Sequence, residues 1–287
     1  VSCSVKHKKT FDYIFNKTEA ITLEQSKLTL SKDITVLSFS DSSMVDRNSS
    51  IIKVDSGWIV YSKNSESSIL SFTSDGQFSG YIGHRGNGPG EYTSVYDVVV
   101  NQKSKVLEVL SDGGIFCYTF GGDFLDKKEV TYPAFSFAID DRQNYWFYVG
   151  NNTTYGDAKM ICTDENIANV AYYLHQKSNM LPMVENNFGR NGEWLTFHES
   201  LNHDLYTIEN GKLDLSYAMD FPNYKLPKKL HELSGMEVIE ELQRSNYASI
   251  INYLENHDYI FLNVLLNNEG ERIPEVYYCL LYTSPSP

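Results

Sequence analysis

Three side chains in this sequence have the types that could hold a metal and activate water: Asp97, Asp140 and His198. A catalytic metal takes about three such ligands and keeps one position open. The three lie in or beside separate strand-like runs, so they would have to converge from different strands. Each is equally the kind of residue that sits on a solvated rim. No Ser–His–Asp order or paired acids can be argued from the spacing. The cysteines are Cys3, Cys117, Cys162 and Cys279, and none makes a CxxC pair, so no zinc or redox motif is present. Cys117 and Cys162 fall in apolar runs and are expected to be small buried hydrophobes. A second candidate set is aromatic: Tyr92, Tyr96, Tyr132, Tyr145 and Trp194 lie near expected strand ends. There an aromatic face can stack on a sugar ring or a peptide side chain, or simply pack in the core. No cofactor motif is found, and no cofactor is expected.

The elements that must position these groups are read from a repeat. Ile69–Phe78 (ILSFTSDGQF) aligns with Ile115–Phe124 (IFCYTFGGDF), and fainter copies begin at Met160 and Leu205. The turn residues Gly76, Gly122, Asn166 and Gly211 recur at intervals of about 45, the length of a four-stranded propeller blade. Asp-Gly, Gly-Gly and Asn-Gly supply the positive φ of a tight hairpin. Aromatics make up 14% of the chain, with 21 Tyr and 15 Phe, which also favours sheet. Runs such as Gly57–Tyr61 (GWIVY) and Tyr145–Val149 (YWFYV) suit strands buried on both faces. The fold class expected is all-β, a β-propeller. The period breaks at residues 234–256, which carry a helical pattern. Ser234-Gly-Met-Glu237 reads as a capping box, and Met236, Ile239, Leu242, Ile250 and Leu254 share one face. One inserted helix is expected there, packed beneath a blade.

Charge removes one class of partner. Lys and Arg number 24 against 37 Asp and Glu, a net charge of −13. Neutralising phosphates needs clustered Lys and Arg, and the lone basic run, Lys6-His7-Lys8-Lys9, lies outside the expected fold. Nucleic acid is therefore excluded as a main partner. No stretch of 18 apolar residues is present, so no membrane-spanning helix is expected.

The most distinctive local motif is Ile82–Tyr92, IGHRGNGPGEY, between the last strand of one blade and the first of the next. Its glycines could cradle phosphate, but a phosphate loop opens a helix and is usually followed by Lys, whereas a strand follows here. It reads instead as an interblade connector. Gly83, Gly86, Gly88 and Gly90 permit positive φ, Pro89 stiffens the turn, and Arg85 and Glu91 are placed to pair across it, ahead of Tyr92.

This run resembles the start of an NHL-type repeat. It is closer still to the six-bladed β-propeller lipoproteins of Gram-negative gut anaerobes, matched from Gly83 with His84 where Arg is usual. Asn202–Ile208 and Asp220-Phe221…Leu226-Pro227 resemble further segments of that family, in the same order, over roughly residues 27–278. The resemblance implies six blades, of which about four and a half are present. It implies that residues 27–40 supply a closing strand for the last blade, and an unclosed ring would expose sheet edges. It also implies a lipid-anchored binding module of the cell envelope, an outer-membrane lipoprotein facing periplasm or surface. The ligand would be a glycan, a peptide or a partner outer-membrane transporter. The alternative is a lyase- or lactonase-like propeller enzyme using Asp97, Asp140 and His198 on an axial metal. Val1-Ser2-Cys3-Ser4 resembles a cut lipobox, making Cys3 the acylated residue and 1–18 a tether, so the membrane is met through the lipid alone. Residues 19–278 would be the incomplete propeller. Residues 279–287, ending Thr283-Ser-Pro-Ser-Pro287, read as a non-native tail.

Overall fold

A threonine three residues before a glycine builds the repeated hairpin. Thr73 N–H donates to the Gln77 carbonyl, Gly76 N–H donates to the Thr73 carbonyl, and the Thr73 hydroxyl accepts Gln77 N–H at 3.0 Å. The same set recurs at Thr119, Gly122 and Asp123, where the hydroxyl accepts at 3.1 Å. Gly76 and Gly122 take φ of +86° and +98°, and Asn210 and Gly211 take +56° and +72°. In the third copy the positive φ falls on Ile167 (+58°) and Asn169 (+50°) rather than on Asn166.

The computed structural model describes residues 11–14, 34–38, 45, 49–63, 68–151, 156–175, 185–233, 235–257 and 259–280. Strand β1 is Phe11–Ile14. The first blade holds β2 (Ser50–Val54), β3 (Gly57–Tyr61), β4 (Ile69–Thr73) and β5 (Phe78–Ile82), paired in that order. Two short parallel strands follow, β6 (His84–Arg85) and β7 (Glu91–Tyr92). The second blade is β8 (Asp97–Asn101), β9 (Val106–Ser111), β10 (Gly114–Tyr118) and β11 (Phe124–Lys128). The third is β12 (Ser136–Ile139), β13 (Tyr145–Tyr148), β14 (Ala158–Thr163) and β15 (Ala171–His175). The fourth is β16 (Phe188–Asn191), β17 (Trp194–His198), β18 (Asp204–Glu209) and β19 (Lys212–Asp220). Helix α1 (Met236–Arg244) precedes the fifth, β20 (Tyr247–Glu255), β21 (Tyr259–Asn268) and β22 (Glu271–Leu280). Among the described residues the chain is all-β apart from its short helices, arranged as a β-propeller with five blades: three sheets of four strands, a fourth blade whose four strands are joined by β1, and one sheet of three.

The chain divides into two compact units, residues 19–139 with 166–168, and residues 1–18 and 140–165 with 169–287. In the first unit, Ile59, Ile69, Ile82, Leu107, Val109 and Tyr118 form the core shared by blades one and two. Ser38 bridges to Gln77 at the edge of the first blade. Of the expected closing strand at 27–40, residues 34–38 alone are described. In the second unit, Leu205, Tyr217, Ala248, Ile250, Tyr253 and Leu262 pack blades four and five together. β1 pairs in parallel with β19, so part of the stretch read as a tether is a strand on the edge of the fourth blade. Cys3 and residues 281–287 lie outside the described residues.

The helix is shorter than its pattern. The helical pattern extends to residue 256, but α1 ends at Arg244 and residues 247–255 are strand. Ile250 and Leu254 satisfy an i, i+4 spacing, and a spacing of four is also two strand repeats, so the pattern did not discriminate. A bulge between Ile250 and Asn252 then shifts the phase. The N-cap is Gly235, at φ +56°, with no side-chain bond, and Ser234 of the expected capping box lies outside the described residues. Val238 is the buried helix residue, against Leu201 and Leu230, whereas Met236 and Ile239 are exposed.

β22 has no further strand beside it among the described residues. It carries Glu271, Arg272 and Glu275, with Pro274 opposite Leu265. Charge and a missing N–H are the usual protections of a sheet edge.

Candidate functional site

The glycine-rich connector is filled by its own side chains. Glu91 folds back so that its Oε2 accepts Gly88 N–H at 2.8 Å, and a Cβ on Gly86 would stand 2.0 Å from that oxygen. Gly86 N–H donates to the Tyr92 carbonyl and Glu91 N–H to that of Gly88. Arg85 donates from Nε to the Thr93 carbonyl at 2.9 Å, so each of the two charges expected to pair has a backbone partner of its own. Tyr92 is 1% exposed, its hydroxyl donating to the Ile82 carbonyl and accepting from Ile69 N–H. The Tyr118 hydroxyl donates to the Gly90 carbonyl at 2.9 Å. The run is a structural joint between blades one and two, and no anion-binding nest is left open by these bonds.

Asp97, at the start of β8, is spent on its own unit. It pairs with Lys63 at 3.0 Å, both side chains under 10% exposed. It also accepts from the Tyr61 hydroxyl at 3.2 Å and from Phe137 N–H at 3.1 Å. Asp140, just after β12, accepts from the backbone of Arg142 and Asn144, from the Asn144 amide, and from Trp146 Nε1 at 3.0 Å. Asp97 opens its inner strand and Asp140 follows the end of its own. His198 ends β17, the second strand of its blade rather than the innermost. Asp97 belongs to the first unit, and Asp140 and His198 to the second. Among the described residues no group of three or more His, Cys, Asp or Glu is disposed to hold a metal.

Of the five aromatics, Tyr92 and Tyr145 are core residues, each 1% exposed. Tyr96, Tyr132 and Trp194 are partly exposed. Tyr96 and Tyr132 stand on the connectors that enter β8 and β12. The Tyr96 hydroxyl donates to Asp112 at 2.5 Å, and the Thr93 hydroxyl donates to the other Asp112 oxygen at 2.7 Å. The Asp112 bond, with its charge, pushes the Tyr96 phenol up to about 12, and the same bonds hold the Asp112 carboxyl below its usual range. This leaves a polar, aromatic surface on the strand-entry end of the second blade.

The corresponding end of the second unit holds a buried polar cluster that has no local sequence motif. Lys159 on β14 pairs with Glu199 at 2.9 Å, the side chains 3% and 8% exposed. Glu199 also accepts from the Tyr148 hydroxyl at 2.7 Å and the Asn202 amide at 3.2 Å. Glu185, ahead of β16, accepts from Ser200 N–H and the Asn187 amide, each at 2.8 Å. Burial, with the Glu199 charge, raises the Glu185 carboxyl to about 7. His198 is 1% exposed, and neither ring nitrogen closes a hydrogen bond, although carbonyls of Ile251, Ile250 and Asn187 lie nearby. Burial lowers its pKa to about 4, so the ring is neutral. The signal that could have found this cluster is Lys159 itself, a charge inside the buried run Ala158–Thr163, which cannot fold without a partner. Glu108, inside Val106–Ser111, is the same signal, answered by Asn101 at 3.0 Å and Lys128 at 3.5 Å. The thiols of Cys117 and Cys162 are buried, and burial raises both to about 12, which makes them poor nucleophiles.

One solved structure shares this fold. A candidate exported protein of Bacteroides fragilis superposes with a TM-score of 0.72 at 16% identity, over 85% of this chain and 71% of its own. A member of the DUF4221 family from Bacteroides vulgatus reaches 0.45 at 11% identity, over 82% and 84%. The extracellular domain of a candidate hybrid two-component system of B. thetaiotaomicron reaches 0.45 at 12%, over 78% and 28%. No curated protein sequence matches the chain. Among the described residues no helix is long and apolar enough to cross a membrane. The sequence profile of one family, described as a domain of unknown function, DUF4934, matches residues 6–284.

Proposed function

We propose that this chain, which belongs to the DUF4934 family, is a binding module of the cell envelope that takes a glycan or a peptide on the strand-entry end of its blades. The observation that carries this reading is the contrast between two sets of polar groups. The buried carboxylates Asp97 and Asp140 are saturated by protein donors. Tyr96, Thr93 and Asp112 form an ordered, accessible surface on the connectors. A tyrosine fixed at its hydroxyl by a carboxylate presents a face at little entropic cost, which suits stacking on a sugar or a peptide side chain. Loops on a rigid scaffold are also where binding residues concentrate. The exported Bacteroides protein that shares the fold supports an envelope location.

The finer reading follows the sequence resemblance. It is a six-bladed NHL-like lipoprotein anchored through acylated Cys3, with an outer-membrane transporter as a partner that could present the ligand. The alternative reading, a lyase- or lactonase-like enzyme with an axial metal on Asp97, Asp140 and His198, is favoured by no specific observation.

The test is a thermal-shift screen of the chain against a glycan panel, a peptide panel and divalent cations. A ligand that binds the folded state raises the melting temperature by mass action. A rise with a glycan or peptide, diminished in Tyr96→Ala, is expected. A rise confined to divalent cations would contradict the reading.

A further inference from the structure

One turn on the strand-entry end of the second blade is flanked by a fixed carboxylate and a fixed cation that do not pair. Asp112 and Gly113 join β9 to β10, and Gly114 opens β10. Because Gly113 and Gly114 carry no side chains, the arm of Lys127 on β11 folds back over the turn. Its Cε passes 3.2 Å from where a Cβ on Gly114 would stand, and its Nζ 3.5 Å from that of Gly113. Lys127 lies opposite Phe116 in the sheet, and its ammonium stands 5.0 Å from the centroid of that ring. An aromatic face holds an ammonium by its quadrupole and leaves N–H donors unspent. Lys127 is exposed, and among the described residues no carboxylate stands within ion-pair distance of it. On the other side of the turn, Asp112 accepts from the Tyr96 hydroxyl on Oδ1 and from the Thr93 hydroxyl on Oδ2. An ionised carboxylate offers about four acceptor directions, so this one keeps roughly two to spare. Arg85, exposed and donating from Nε to the Thr93 carbonyl, adds a second cation on this side.

We propose that this turn is a subsite for an acidic saccharide, with the Lys127 ammonium on the carboxylate of a uronic acid and Asp112 on its ring hydroxyls. The inference rests on the binding reading and narrows its ligand. Tyr96 supplies the face on which the C–H side of the sugar ring lies. Hydroxyls on adjacent ring carbons are donors, and they match the spare acceptor directions of Asp112. An acidic peptide side chain also carries a carboxylate for Lys127. It brings no vicinal hydroxyls for Asp112, however, and sets two carboxylates side by side without donors between them. A neutral glycan leaves Lys127 without a counter-charge.

The test is calorimetric titration of the whole chain at low salt with oligosaccharides of galacturonate, glucuronate and mannuronate. Each is paired with its carboxyl-reduced counterpart, which keeps the ring hydroxyls and exchanges the carboxylate for a neutral CH2OH. At least one acidic form should bind about fivefold tighter than its reduced partner, the upper range for an exposed ion pair. Raising NaCl to about 0.5 M should narrow that gap by screening. Lys127→Met should erase the gap, and Lys127→Arg should keep it. A reduced form bound as tightly as its acidic partner, or a gap that survives in Lys127→Met, would overturn the subsite. Tyr96-dependent binding of that reduced form would still uphold the binding module. Binding of peptides and of no uronate would overturn the subsite in the same way. Failure of every glycan and every peptide to bind would overturn both.

Discussion

Replacing Asp97 by Ala separates a structural carboxylate from a functional one. Asp97 neutralises Lys63, with both side chains under 10% exposed, and also accepts from Tyr61 and Phe137. Removing it leaves an ammonium, a phenol and a backbone N–H without this partner. Breaking one side of such a pair costs about 3–5 kcal/mol, because the surviving charge stays desolvated. For a chain of 287 residues the unfolding entropy is about 0.6 kcal/mol per degree, so the melting temperature should fall by about 5–8 °C. The double variant Asp97→Leu with Lys63→Met removes both charges and should recover most of that loss, since apolar replacements of buried pairs are often neutral. Calorimetry on the wild type, Asp97→Leu, Lys63→Met and the double completes the cycle. A fall of less than 1 °C in Asp97→Ala, or additive losses in the double variant, would refute the structural role. Such a result would return Asp97 to the list of groups available to a ligand.

Four further outcomes are expected. His198 is neutral in the folded chain and protonated on unfolding at mildly acid pH. Stability should therefore fall as pH drops from 6.5 through about 4, by about 3 kcal/mol in all. His198→Leu should flatten that acid limb in melts from pH 7 to pH 4, and an unchanged limb would count against the assignment. Lys159→Met should destabilise by about 3 kcal/mol or more in urea titrations, because the buried Glu199 carboxylate then loses its cation. Gly122→Ala places a Cβ about 2.4 Å from the Tyr81 carbonyl at a φ of +98°, so it should lower the melting temperature more than Gly156→Ala, which meets nothing within 4 Å. Tyr92→Phe deletes a hydroxyl that joins Ile82 to Ile69 inside the core and should cost about 1–3 kcal/mol by chemical denaturation.

The repeat was legible because its physics is local. A tight hairpin needs positive φ, and a Thr hydroxyl placed three residues earlier closes the turn, so Thr73–Gly76 and Thr119–Gly122 announce themselves in sequence. The third copy shows the limit. Its positive φ moved to Ile167, a residue that no turn preference selects. Helix α1 was overrun because Ile250 and Leu254 fit both periods, and the bulge that decides for strand depends on pairing with β21. The polar cluster was illegible for a different reason. Lys159 and Glu199 are 40 residues apart, and their pairing is set by how neighbouring blades pack. Their only trace in sequence is a lysine inside an apolar strand. Asp97, Asp140 and His198 stood out by residue type, yet the ends of their strands, not their types, determine what they can reach. Tyr92 and Tyr145 looked like Tyr96 in sequence, but only burial separates a core ring from a presented one.

The central claim, binding without chemistry at the connector surface, is tested most directly by calorimetric titration of the first glycan or peptide hit in the presence of EDTA. Wild type and Tyr96→Ala would be compared, and the ligand recovered and weighed by mass spectrometry afterwards. Binding should persist in EDTA, weaken at least about tenfold in Tyr96→Ala, as loss of a stacking face worth about 1.4 kcal/mol would give, and return the ligand intact. Binding abolished by EDTA, or a ligand recovered cleaved, would contradict it.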